Sequence, residues 1–146
     1  MCISKLITAV TLTFGIANAA QAEDPNKLIT ILTSAEPQTQ LMAMVLTANA
    51  MSAGAEAEVL LCGPAGDIAL NDAPVSATAG QPPKDASPQG LMKMLMAQKG
   101  LKVQVCAIYL PGKATDGTAL IDGVTAAAPD AMGAAIVGAN TTVMSF

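Results

Sequence analysis

Apolar positions in this chain switch repeatedly between a two-residue and a helical period. Lys27 to Ser34 (KLITILTS) is rich in β-branched residues, which suits a pleated, buried strand. Pro37 then suits the first turn of a helix, and Leu41, Met44, Val45 and Ala48 fall on one helical face that Gly54 closes. Glu58 to Gly63 (EVLLCG) reads as a second strand ending at Cys62, and Pro64 to Leu70 as one short helical turn. Asn71 to Pro88 follows as a long loop, with four prolines in 18 residues. Ser87 and Pro88 then form a helix start, and Lys99-Gly100 the matching stop. Lys102 to Leu110 (KVQVCAIYL) reads as a third strand with Cys106 in its apolar second half, turned by Pro111-Gly112. A short helix over Thr118 to Gly123, a strand over Gly123 to Ala127, a small-residue helix over Pro129 to Gly138 and a last strand over Thr141 to Phe146 complete the pattern.

Strands alternating with helices predict a mainly parallel sheet covered on both faces, a three-layer α/β/α sandwich of about five strands. The chain of 146 residues suits one such domain. From Pro37 to Ala55 there is no charged residue, whereas a surface helix carries charge on its outer face, so both faces of the first helix are expected to be buried. The first strand leads into neither G-x-G-x-x-G nor G-x-x-x-x-G-K-S/T, and without a phosphate cradle nucleotide binding is not supported.

The amino-terminal stretch has the order of an export signal. Lys5 supplies a positive start, Leu6 to Ala20 is apolar or small, and Ala20-Gln21-Ala22 offers the small residues that signal peptidase reads. Cleavage after Ala22 is expected, leaving a domain over 23–146 in the periplasm or secreted. The apolar stretch is shorter than the about 20 residues a span needs, so no membrane span is expected after cleavage. Cys2 precedes the apolar run, outside any lipobox context.

Composition narrows the chemistry. Hydrophobic residues make up 52% of the chain and charged ones 12%; His and Trp are absent, and all 7 basic residues are lysines. Without His, neither a Ser/His/Asp nor a Cys/His pair can form, and without Arg there is no bidentate clamp on phosphate or carboxylate. A net charge of -4 with 2% aromatic residues offers neither a basic stripe nor stacking rings, which argues against nucleic acid. Asp116, Asp122 and Asp130 are spaced too irregularly for a calcium loop, and no metal or cofactor is expected.

What remains is cysteine. In parallel sheets ligands collect beyond the carboxyl ends of the strands, and Cys62 and Cys106 both fall near such ends. A thiolate there attacks electrophiles and accepts sulfane sulfur, and Lys113 could favour that charge. Either cysteine could equally be a small buried hydrophobe. The two could also pair as a structural or redox disulfide in an oxidising compartment. With the first strand between them, as in the common 2-1-3 order, pairing would require loop movement, because two strand spacings exceed the Cα limit of about 7 Å. Asp67 could contact a ligand near Cys62 or serve a turn, and Tyr109, the only tyrosine, could donate into the crevice. Met92, Met94 and Met96 suggest soft ligands for Cu(I), but only Met92 and Met96 share a helical face, and core filling is the simpler role.

The order strand, helix, strand ending in Gly, then a helix leading into Gly100-Leu101-Lys102-Val103-Gln104-Val105-Cys106, resembles the DsrE family of sulfur-relay proteins over about Lys27 to Phe146. Leu120-Ile121-Asp122-Gly123-Val124 and the terminal apolar strand agree in order and spacing. The resemblance implies an α/β sandwich assembling into homo-oligomers, trimers or hexamers. It also implies, as in some members, a persulfide carried at Cys106; on that hypothesis Cys62 would be a neighbour or resolving thiol, and a sulfur donor or acceptor the partner. The alternative is a non-catalytic periplasmic binding or assembly protein with structural cysteines, using the loop from Asn71 to Pro88 for a partner. This chain departs from the relay pattern in its export signal and in following Cys106 with Ala107-Ile108-Tyr109-Leu110-Pro111 in place of a polar, Gly-rich loop.

Overall fold

The computed structural model describes residues 26–146. The expected signal peptide at 1–22 lies outside the described residues. β1 (Lys27–Leu32) leads to α1 (Pro37–Ser52) and β2 (Glu56–Leu61), followed by a 3-10 segment (Gly63–Ala69) and α2 (Val75–Thr78). α3 (Pro88–Lys99), β3 (Lys102–Val105), α4 (Tyr109–Gly112) and a 3-10 turn (Gly117–Ala119) come next, and β4 (Thr125–Ala126), α5 (Pro129–Ile136) and β5 (Thr141–Ser145) end the fold. The sheet is five-stranded in the order β4-β3-β2-β1-β5 with every pairing parallel. This is the expected α/β/α sandwich.

Local chemistry accounts for the element ends. α3 starts where Ser87 accepts the Gly90 N–H at 3.1 Å with Pro88 in the first turn, and it stops at Gly100, whose φ of 69° is open to glycine at little cost. The larger core lies between the sheet and α1 and α3, with Leu32, Met44, Val59, Leu61, Ile68, Met92, Leu95 and Val105 fully buried. A smaller cluster on the other face joins Ile29 and Leu60 to Ala127 and Met132. Among the described residues, no helix is long and apolar enough to cross a membrane.

Three expectations change. β2 lies directly beside β3, not across β1, because each crossover steps one strand further along the same side of β1 until the chain returns to β5 on the other. The third strand ends at Val105, so Cys106 lies just past the sheet in the turn that opens α4. The loop after residue 70 is partly ordered by α2 and a bridge between Gln81 and Ala86. Within the single chain the first helix buries one face, with Gln40, Ala43, Met44 and Thr47, and Met42 and Leu46 are exposed on the other. Met92 is fully buried and Met94 exposed, so the methionine run splits between core and surface and forms no ligand set.

Candidate functional site at the carboxyl ends of β2 and β3

β2 and β3 are in register from Glu58 opposite Lys102 to Leu61 opposite Val105. One step further brings Cys62 opposite Cys106, with Cα atoms 5.1 Å apart, close to the parallel strand spacing of about 4.8 Å. Backbone hydrogen bonds extend the sheet to both residues: the Cys62 N–H donates to Leu32 O at 2.9 Å and the Cys106 N–H to Leu61 O at 2.8 Å. Past Cys62 the chain swings off the sheet at Gly63, where φ is 55°, a conformation that favours glycine. Past Cys106 it turns back on itself, the Tyr109 N–H donating to Cys106 O at 2.8 Å. Cys62 and Cys106 form a disulfide. Both are half-buried and pack against the smaller cluster with Ile31, Ala135 and Ile136.

Beside the bridge, the two segments that leave the sheet hold each other by side chains. Tyr109 Oη donates to Asp67 Oδ1 at 2.8 Å, and Lys113 Nζ reaches Asp67 Oδ1 at 2.8 Å and Oδ2 at 3.1 Å. The Tyr109 ring packs against Gly66, where a Cβ would come within 2.6 Å of Cζ. Only glycine leaves room for the ring at that position. Burial, and then the hydrogen bond and charge of Asp67, push the Tyr109 hydroxyl well above its ordinary value of 10.0. It is therefore a neutral donor committed to Asp67. Lys113 keeps 45% of its side chain exposed, so its ion pair with Asp67 is a surface pair of modest worth. Its charge is shared with a carboxylate and does not stand alone beside Cys106.

The four residues singled out from sequence, Cys62, Asp67, Cys106 and Tyr109, therefore converge on one end of the sheet. Lys113 and Gly66 complete the cluster. The role of Gly66 had no signal in sequence, because its close approach is to a ring 43 positions away in the chain. The arrangement can do dithiol–disulfide chemistry: two sulfurs at bonding reach, carried by partly buried residues just past the ends of adjacent strands. Among the described residues, no three of His, Cys, Asp and Glu gather to hold a metal. A cleft of about 460 Å³ lies at the opposite, amino end of the strands, lined by Lys27, Glu56, Glu58, Lys99 and Lys102 among others, and by neither cysteine.

No family model matches this sequence, and no curated protein matches it either. Solved structures do. MTH1491 from Methanobacterium thermoautotrophicum, described as a protein of unknown function, aligns with a TM-score of 0.63 at 14% identity, over 83% of this chain and 99% of that one. The YchN protein from E. coli aligns with a TM-score of 0.60 at 18% identity, again over 83% and 99%. The chain shares their fold. At such identities the likeness concerns the path of the backbone and transfers no residue's role.

Proposed function

We propose that this chain is an exported, DsrE-like sulfane-sulfur acceptor in which Cys106 takes up sulfur and Cys62 resolves the persulfide. The observation that carries this reading is the juxtaposition of Cys62 and Cys106 at the ends of adjacent strands, 5.1 Å apart at Cα. In the reduced chain the Cys106 thiolate attacks the terminal sulfur of a polysulfide. A sulfur–sulfur bond forms at Cys106, and the shortened polysulfide leaves with the electron pair. An acceptor thiol then takes the outer sulfur, or the Cys62 thiolate attacks Cys106 Sγ and expels hydrosulfide. The second route oxidises two thiols to the disulfide and reduces one sulfane sulfur to sulfide; a dithiol reductant returns the pair to its starting state. The fold shared with YchN and MTH1491, the export pattern of residues 1–22 and a disulfide suited to an oxidising compartment all support the reading.

A second reading, a binding protein with a purely structural bridge, draws on the internal engagement of Tyr109 and Lys113 by Asp67. One experiment separates the two. The reduced protein is exposed briefly to polysulfide and its intact mass compared among wild type, Cys62→Ser and Cys106→Ser. Cys62→Ser is expected to retain one reducible sulfur, wild type to release sulfide and return to the disulfide, and Cys106→Ser to take up none. Uptake by Cys106→Ser equal to that of Cys62→Ser would refute the proposal and leave the structural reading.

A further inference from the structure

The two cysteines are held from both sides. Before them, β2 and β3 run in register as far as Leu61 and Val105. After them the chain leaves the sheet past each cysteine, and the two departing segments are tied together again almost at once. Asp67, five residues past Cys62, accepts from Tyr109 Oη, three residues past Cys106, at 2.8 Å. Lys113 Nζ adds a second tie to the same carboxylate. Tyr109 is also fastened to Cys106 itself, its N–H donating to Cys106 O at 2.8 Å, and it is buried against Gly66. Backbone bonds from Ile121 N–H to Ala69 O and from Asn71 N–H to Ala119 O join the same stretches further on. Sheet and clamp thus close a small ring of chain around Cys62 and Cys106, whose Cα atoms are 5.1 Å apart.

We infer that Asp67, Tyr109 and Lys113 are positioning residues for the dithiol: they keep Cys62 and Cys106 within bonding reach in the reduced chain and so commit a persulfide at Cys106 to attack by Cys62. Bridge formation removes the freedom of two open thiols to separate. A clamp on both departing segments has already removed much of it, which raises the effective concentration of one sulfur at the other. In the resolving step Cys62 Sγ bonds to Cys106 Sγ, the bond from Cys106 Sγ to its outer sulfur breaks, and hydrosulfide leaves with the electron pair. Attack by an external thiol on the outer sulfur needs no partner cysteine and gains nothing from the clamp. The hold on the dithiol follows from the geometry alone, whereas its effect on a persulfide rests on the function proposed above.

The reduction potential separates positioning from mere support. A clamp that only supports the fold stabilises dithiol and disulfide forms equally and leaves their ratio unchanged; a clamp coupled to the bridge shifts it. In dithiothreitol redox buffers at neutral pH, the bridged fraction is read by alkylation and intact mass for wild type, Tyr109→Phe and Asp67→Ala/Lys113→Ala. The double variant removes both ties and both charges together, so no freed ammonium is left to favour a thiolate. Its equilibrium constant for bridge formation is expected to fall about tenfold, which is about 30 mV in potential, with a smaller fall in the same direction for Tyr109→Phe. Given polysulfide and excess external thiol, both variants should release less hydrosulfide than wild type and pass more sulfane sulfur to that thiol. Should the double variant fail to fold, the conservative Tyr109→Phe decides alone. Potentials within about twofold of wild type in equilibrium constant, with oxidised and reduced forms losing equal stability, would overturn the inference. Shifted potentials with unchanged hydrosulfide release would overturn the link to persulfide resolution. Shifted potentials in a protein whose wild type takes up no sulfur would count against the proposed function and uphold the hold on the dithiol.

Discussion

Reducing the bridge between Cys62 and Cys106 should cost the fold much of its stability. The cross-link spans a sequence separation of 44, and closing a loop of that length in the unfolded chain is worth about 4 kcal/mol on a chain-entropy account. In the folded state little else changes on reduction. β2 and β3 remain joined by the hydrogen bond from the Cys106 N–H to Leu61 O at 2.8 Å, and the sulfurs keep their apolar neighbours Ile31 and Ile136. The loss therefore falls on the unfolded side of the equilibrium. For a domain of this size each kcal/mol moves the midpoint by about 3–5 °C, so the expected fall is about 10–20 °C. Thermal unfolding followed by circular dichroism, with and without a thiol reductant, reads this directly. The Cys62→Ala/Cys106→Ala double variant should melt near the reduced wild type and ignore the reductant. A wild-type shift below about 3 °C, or a double variant as sensitive as wild type, would refute the reasoning. By linkage the fold favours the bridge by the same free energy, which drives the expulsion of hydrosulfide from a persulfide at Cys106.

Two further outcomes follow from buried polar groups. Thr47 already donates to Ala43 O at 2.8 Å, so Thr30, with no exposed surface, must be the donor in its 2.8 Å contact with Thr47. Thr47→Val strands that hydroxyl and should cost about 1–3 kcal/mol in urea unfolding, whereas Thr30→Val/Thr47→Val should cost less than Thr47→Val alone; a double variant as unstable as the sum of the singles would contradict this. Tyr109 is the one tyrosine, so tyrosinate absorbance reports it alone. Its folded value is raised, so its contribution to stability is fully present below pH 10.0 and is lost as pH climbs above it; absorbance should stay flat through pH 10.0 until the chain unfolds. Asp67→Asn should lower the transition only in part, because burial is the largest cause, and titration of folded wild type at pH 10.0 would show the hydroxyl is not held as described.

Much of the site was legible because its parts carry local signals. Cys62 ends the short apolar run Val59-Leu60-Leu61 before Gly63-Pro64, and Cys106 follows the alternating Lys102-Val103-Gln104-Val105, so both could be placed at strand ends. Their pairing was not legible. It turns on whether β1 separates β2 from β3, and no residue near either cysteine encodes that choice. Likewise, Lys113 read in isolation is a cation near a thiol, and only the folded 3-10 segment brings Asp67 to it. The third strand was drawn too long because Ala107-Ile108-Tyr109-Leu110 is apolar enough for a strand, yet tertiary packing wraps it into α4 so that Tyr109 can cover Gly66.

The sequence by itself determined the class of this protein. Hydrophobic period, Ser87-Pro88 and Lys99-Gly100 punctuation and strand–helix alternation are short-range features, readable wherever each element is long enough to repeat them. Tertiary structure alone decided the strand order and the side-chain meetings that depend on it: Cys62 with Cys106, Asp67 with Tyr109 and Lys113, Thr30 with Thr47. Local propensity is satisfied equally well by several orders of the same parallel strands, and the one adopted is selected by how all the apolar faces are buried together.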